Sequence, residues 1–302
     1  MILVTGASGY IGYILTKELL KENNKVRAFC HNKTEKMNRL KNEYSESLEI
    51  CYGDISKIEN FNELLKNIDV IYHLAAELKL NENMEEINTN ATKKVFENCL
   101  RYNVKKVVFF STVAVYKTGE EISINSYKEP NNMYGRTKLE AEKIGQELYK
   151  KKGLPLIVLE PSIVYGEIFK GTIGKIENRA NNGYCLRVGN GKYKNSIIHV
   201  NDLVKIAINV TKNDNYIGKT IICTAETISV CQVNNILKKY YGKAIKEIYI
   251  PDIMAKIIMK FPVNKKLKID IGQLIRNSEY KSTYEDIEYI KFEQYIAKKS
   301  KK

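Results

Sequence analysis

The residues best placed to do chemistry are Tyr134 and Lys138, in the run YGRTK. Four apart, they share one face of a helix. An ammonium beside a phenol favours the phenolate and lowers the phenol's pKa from its ordinary value of about 10. A tyrosine tuned in that way exchanges a proton with a substrate hydroxyl or carbonyl near neutral pH. With 21 tyrosines in the chain, such a pair also arises by chance, so its weight comes from what precedes it. Ser111 and Thr112 close the apolar run in FFSTVAVY. Two hydroxyls there can hydrogen-bond a substrate oxygen, or cap the next element.

A second constellation opens the chain. MILVTGASGYIG is a short apolar strand, a turn with Gly6, Gly9 and Gly12, and the start of a helix with Ile11, Ile14, Leu15 and Leu19 on one face. Gly6 permits the tight turn, Gly9 lets backbone approach a pyrophosphate, and Gly12 lets helix pack on strand. The helix N-terminus offers free N–H groups and partial positive charge to phosphates. The candidate cofactor contacts of this turn are Gly6, Ser8, Gly9, Tyr10, Ile11 and Gly12. Further on, Asp54, followed by Ile55, can accept a hydrogen bond from an adenine amino group, or simply shape a turn. In HLAA, the small residues after a strand let Leu74, Ala75 and Ala76 pass close to a ligand, while His73 reads as a packed strand-end residue.

These pieces need a scaffold that brings strand ends together. Strand-like runs are read at 1–5, 25–30, 48–52, 70–73, 106–111 and 154–159, with long helices over 82–102 and 132–152. The strands are continuous apolar runs, as expected where helices cover both sheet faces. Alternating strand and helix predicts an α/β fold with a doubly wound parallel sheet. Ligands bind at the carboxyl ends of such strands. After Pro161 the rhythm changes. Glycines cluster, short strands are read at 197–200 and 220–223, helices at 202–210 and 230–241, and the last fifty residues are lysine- and tyrosine-rich with a weak helical pattern.

Bulk properties exclude several classes. The 302 residues, 44% of them hydrophobic, suffice for one large core or two smaller ones. No apolar run approaches the roughly 18 residues of a membrane span. Nothing resembles a signal peptide, so a cytoplasmic protein with no membrane partner is expected. The six cysteines form no CxxC pair and the three histidines are isolated, so neither a disulfide frame nor a metal site is expected. The net charge of +14 raises the question of nucleic acid, but only seven of 49 basic residues are arginine and the lysines are scattered. We read a solvated lysine surface and expect no nucleic-acid partner.

Taken in order, TGASGYIG, Gly53-Asp54, HLAA, the NTNAT of 88–92, STVAVY, YGRTK, the PSIVYG of 161–166 and the IIHVND of 197–202 resemble the extended short-chain dehydrogenase/reductases, in their NAD-dependent epimerase/dehydratase family. The motifs cover about two thirds of the chain. The resemblance implies a Rossmann sheet with a smaller C-terminal substrate-binding lobe: 1–166 with about 196–227 as the dinucleotide-binding domain, and about 167–195 with 228–302 as the lobe. It implies Tyr134 as acid/base, Lys138 on the nicotinamide ribose, and Thr112 rather than Ser111 on the reacting oxygen. Pro161 to Val164 would pass beside the nicotinamide, and Asn88 would support the site, although Ala91 replaces the family's usual glycine.

Cofactor choice turns on the end of the second strand, VRAFCHNK. NAD binders place an acid there and NADP binders a basic group. Cys30 stands in the acid's place, His31 falls where NADP-using relatives carry arginine, and Lys33 follows, so the reading favours NADP(H) over NAD(H). Arg187 and Lys192, in a glycine-turn cluster, resemble a segment that nucleotide-sugar enzymes of the family use near their substrate. Lys170 and Gly171 resemble a loop of such enzymes. The expected activity is an NAD(P)-dependent 4-epimerase or 4-keto reductase of a nucleotide-linked sugar. The alternatives are a reductase of a non-sugar ketone or alcohol, of the dihydroflavonol reductase or hydroxysteroid dehydrogenase kind, and a non-catalytic NADP-sensing protein. A dehydratase is disfavoured because Val113 and Ala114 replace that branch's Asp-Glu pair. Relatives pair the two long helices across a dimer, so a homodimer is expected.

Overall fold

The continuous apolar runs become a sheet covered on both faces. The computed structural model describes residues 1–119, 121–167, 171–242, 244–261, 271–272 and 274–301. Its strands are β1 (Ile2–Thr5), β2 (Val26–Cys30), β3 (Leu48–Tyr52), β4 (Val70–His73), β5 (Lys106–Phe110), β6 (Leu156–Pro161), β7 (Ile163–Tyr165), β8 (Tyr184–Val188), β9 (Lys194–His199), β10 (Thr220–Cys223), β11 (Glu226–Ser229) and β12 (Lys246–Ile250). Its longer helices are α1 (Tyr10–Lys21), α2 (Glu35–Glu43), α3 (Thr92–Arg101), α4 (Met133–Lys152), α5 (Thr172–Asn181), α6 (Val200–Val210), α7 (Val230–Tyr241), α8 (Asp252–Lys260) and α9 (Phe292–Lys299).

Seven strands form one parallel sheet in the order β10-β6-β5-β4-β1-β2-β3. The order reverses about β1, with β2 on one side and β4 on the other, which is where such sheets open a crevice at their carboxyl ends. Leu3, Ile71, Val107, Phe109 and Val158 point from the strands into a core closed by Val95 and Phe96 of α3 and Ala141 of α4. Helix α4 starts one residue later than the pattern suggests, because Asn132 is its cap and accepts from the Gly135 N–H at 2.8 Å. The expected helix over 82–102 is three pieces, a single turn at Asn83–Glu85, a π-helical segment at Glu86–Ala91, and α3.

The chain forms two compact units. The first holds 1–117, 126–161 and 203–223, with the seven-stranded sheet. The second holds 118–125, 162–202 and 224–302. The expected division ran differently. The strand after Pro161 leaves the large sheet because β7 pairs with β9, in the three-stranded order β11-β9-β7. The bridge from Ile122 to Tyr280 joins 118–125 to the second unit. In that unit, parallel β8 and β12 form a further pair, and Tyr165 packs edge to face with His199, Phe292 and Tyr295, while His199 lies tilted against Tyr295.

Candidate active site

Gly6 makes the turn after β1 at φ +68°, and a Cβ there would lie 2.8 Å from the Ala75 nitrogen. A Cβ at Gly12 would lie 2.4 Å from the Gly6 oxygen. Both positions therefore require glycine, one by conformation and contact, the other by contact alone. Thr5 ties the HLAA segment to this turn, its Oγ1 accepting from the N–H groups of Leu74 and Ala75 at 3.2 Å each. With two donors already on that oxygen, the network has the Thr5 hydroxyl donate to His73 Nδ1 at 2.8 Å and His73 Nε2–H donate to Thr92 Oγ1 at 3.0 Å. Burial pulls the His73 pKa down to about 3. The ring is neutral and structural, as its sequence position implied.

No side chain caps α1 at Gly9, so the helix terminus presents backbone donors with partial positive charge. Ser8, Tyr10 and Ile11 flank Gly9 at this mouth, and only Gly9 among the four is exposed. Lys36 of α2, which sequence reading passed over, donates to the Gly9 carbonyl at 3.3 Å and lies 4.9 Å over the Tyr13 ring. Burial holds its ammonium below the ordinary lysine range. Cys30 is fully buried, and its thiol is pushed up by burial despite hydrogen bonds from Ser8. It cannot serve as a surface ligand. His31 beside it is exposed. Asp54 caps the short turn Ile55–Lys57, accepting from Ser56 N–H at 3.0 Å and Ser56 Oγ at 2.7 Å. Burial raises the Asp54 pKa, but the Ser56 bonds outweigh it and hold the carboxyl below its ordinary range.

The glycines, the uncapped helix and the small residues of HLAA fit a dinucleotide diphosphate. Residues 2–222 match the model described as the NAD dependent epimerase/dehydratase family.

The chain belongs to that family.

Among curated relatives, the UDP-glucose 4-epimerase of Vibrio cholerae is 28% identical over 221 residues, which are 68% of this chain and 65% of that enzyme. The N-acetyl-alpha-D-glucosaminyl-diphospho-ditrans,octacis-undecaprenol 4-epimerase of Escherichia coli O157:H7 is 25% identical over 219 residues, 70% of this chain and 63% of that one. The chain spans about half to two thirds of the curated relatives it matches first. A solved UDP-N-acetylglucosamine 4-epimerase from Methanobrevibacter ruminantium M1, in complex with UDP-N-acetylmuramic acid, shares the fold with a TM-score of 0.81 at 22% identity. It covers 99% of this chain and 96% of its own.

Tyr134 and Lys138, the pair expected to handle the proton, lie on α4. A Cβ at Gly135 would meet the Ala114 oxygen at 2.2 Å. Glycine there seats the first turn of α4 on the turn Val113–Val115, which Thr112 caps by accepting from the Ala114 N–H at 3.1 Å. The contact brings the Tyr134 turn to the Thr112 turn. Asn88, in the π segment, indexes the loop after β4 to α4. It accepts from Glu77 N–H at 2.8 Å and donates to Glu77 O at 3.0 Å and Thr137 Oγ1 at 3.1 Å.

Burial works against the charge coupling that the spacing of the pair suggests. Lys138 does not hold the phenol low. Burial pushes Tyr134 up to about 12 and pulls Lys138 down to about 7. The Lys138 Nζ sits 4.1 Å over the Phe109 ring, inside the core face. Desolvation wins because both groups leave water together, and a lysine only about half protonated at neutral pH pulls less on a phenol than a full ammonium does. Tyr134 is thus a protonated donor at neutral pH.

Ser111 does not face the same way as Thr112. Its Oγ donates to Glu142 Oε1, one turn beyond Lys138. Glu142 belongs to a buried cluster that sequence reading missed. Lys128 Nζ pairs with Glu142 Oε2 and with Glu160 Oε1, each at 2.5 Å, and Tyr116 donates to Glu160 Oε2 at 2.9 Å. Burial and then the Glu142 charge push Glu160 up to about 8, while the two carboxylates outweigh burial and hold Lys128 above its ordinary value. One signal was available: Glu160 is a carboxylate inside the apolar run LIVLEP.

Pro161 ends β6 in the first unit, while Val164, Arg187 and Lys192 lie in the second. Arg187 is engaged there. It pairs with Glu247 at 2.5 Å, donates to Gly189 O at 2.9 Å and stacks 4.9 Å over Tyr249. Lys192 is exposed. Lys170 lies outside the described residues. Among the described residues no cluster could hold a metal, and no helix is long and apolar enough to cross a membrane.

Proposed function

We propose that this protein is an NAD(P)-dependent enzyme acting on the 4-hydroxyl or 4-keto carbon of a nucleotide-linked sugar, as epimerase or 4-keto reductase. The two curated relatives described above support the carbon, since each is named a 4-epimerase; the UDP-glucose of the first supports a nucleotide carrier, whereas the name of the second puts its sugar on a polyprenol diphosphate. The observation that carries the reading is the seating of α4 on the Thr112 turn through Gly135. In this reading that contact brings the Tyr134 phenol, the Thr112 hydroxyl and the Lys138 amine together beyond β5.

In this reading the nicotinamide cofactor accepts or gives a hydride. The turn Gly6–Gly12 holds the diphosphate through backbone N–H groups. Asp54 and Ile55 take the adenine, Ala75 and Ala76 line the path, and Lys138 holds the ribose. Pro161 and Val164 are assigned to the nicotinamide. Thr112 hydrogen-bonds the reacting oxygen, and Tyr134 gives it a proton or takes one. Arg187 and Lys192 are assigned to the anionic part of the substrate. His31 and Lys36, with no acid ending β2, support NADP(H) over NAD(H). The apolar faces of α3 and α4 are spent inside the first unit and their outer faces carry Lys93, Glu97, Glu140 and Lys143. A homodimer across them would therefore close on ion pairs.

The test is stopped-flow hydride transfer with cofactor titration. Tyr134→Phe keeps the ring and removes the hydroxyl, so the hydride step should slow by about 10²-fold or more with cofactor affinity unchanged. NADPH should bind more tightly than NADH. Near-wild-type turnover in Tyr134→Phe would remove the catalytic assignment of that residue, and cofactor binding with no turnover in the wild type would leave the sensor reading.

A further inference from the structure

Helix α8 is apolar on two faces, where a surface helix needs one. Its inner side buries Ala255 and packs Ile258 and Met259 on the core of the second unit. Its outer side leaves Ile253 70% exposed, Met254 52%, Ile257 48% and Phe261, at its C-cap, 59%. At 3.6 residues per turn these four fall within one sector about 100° wide. Lys260 and Lys256, both exposed, line one margin of that sector. The strand leading into the helix, β12, exposes Ile248 and Tyr249 as well. Soluble chains rarely leave apolar patches of more than a few hundred Å² uncovered, and those that do generally mark an interaction site.

We infer that the outer face of α8 docks on an anionic lipid bilayer. An apolar sector with lysines at its margin is the pattern of a helix lying in the interfacial plane. Anionic headgroups would neutralise Lys256 and Lys260, whereas a second copy of the same face would bring like charges together. The whole chain reinforces the attraction, with a net charge of +14 carried mostly by lysine. The expectation of no membrane partner rested on span length, and docking needs no span. The inference is independent of the proposed catalysis.

The experiment is co-sedimentation of the full chain with vesicles of phosphatidylcholine alone and of phosphatidylcholine mixed with phosphatidylglycerol. Binding should appear with the mixed vesicles and weaken as salt rises. The double variant Ile257→Ser/Phe261→Ser should reduce binding at least about tenfold, with unchanged circular dichroism because both side chains are exposed. Lys256→Gln/Lys260→Gln should weaken binding to the anionic vesicles alone. Absence of binding, or binding indifferent to the serine variant, overturns the inference. So does a dimer in light scattering that the serine variant dissociates, since the face would then belong to a second copy.

Discussion

Lys128 and Lys138 are both drawn into the interior of the first unit, and their surroundings give them opposite fates. Lys138 meets the Phe109 ring and loses its proton near neutral pH. Lys128 meets two carboxylates and keeps its proton well into the alkaline range. Burial penalises both ammonium groups; what differs is whether a compensating charge lies within hydrogen-bonding reach. One lysine is left able to exchange its proton near neutral pH. The other joins α4 to β6 behind it, at the step before Pro161.

The largest break in this contrast should come from Lys128→Met. It leaves Glu142 and Glu160 facing each other, and should cost about 3 kcal/mol in urea unfolding near neutral pH. That is the low end for a broken buried pair, because Glu160 can keep a proton. Adding Glu160→Gln should recover most of the loss. A loss under about 1 kcal/mol in the single variant would mean that the cluster is not a stabilising ion pair.

Lys138→Met should do the reverse. Folding strips a proton from Lys138, since its folded pKa of about 7 lies below the unfolded 10.5. Its stability is therefore fully present above pH 10.5 and lost as pH falls through about 7. Methionine escapes that penalty, so the variant should gain on the order of 1–3 kcal/mol at pH 7, fading towards pH 10.5, while hydride transfer and cofactor binding fall together. A variant less stable than wild type at pH 7 would show that Lys138 is charged in the folded protein.

The smaller effect belongs to Glu160. Its folded pKa of about 8 lies above the unfolded 4.5, so its stability is present below pH 4.5 and lost as pH rises through about 8. Wild type should lose at most ~1.4 kcal/mol per pH unit across that window. Glu160→Gln should flatten the slope, as read from urea midpoints across the same range. An unchanged slope would place the titration elsewhere.

The contrast also marks what the sequence could disclose. The sheet was legible because strands covered on both faces are written as uninterrupted apolar runs, and β3, β4, β10 and α7 fall where that pattern puts them. The glycine turn was legible because backbone needs dictate residue type at Gly6 and Gly12. The proton balance of Tyr134 and Lys138 was not legible, since spacing puts two groups on one face without saying how much water they keep. Lys128 lies in the polar stretch SYKEPNN, where nothing local announces that it reaches two buried carboxylates. Residues 162–166 and 196–202 were divided differently because a three-residue strand chooses its partner by tertiary contact, and Ile163–Tyr165 chose β9.

The π-helical segment Glu86–Ala91 carries one more residue per turn than the α-helical pieces flanking it. Deleting a single residue there would let the whole run wind as an ordinary α-helix. The backbone would be more regular, but everything upstream would rotate by about 100° relative to α3. Asn88 would swing away from Glu77 and Thr137, unfastening the loop after β4 from α4. In length as well as composition, this segment tolerates less editing than its place on a helix suggests.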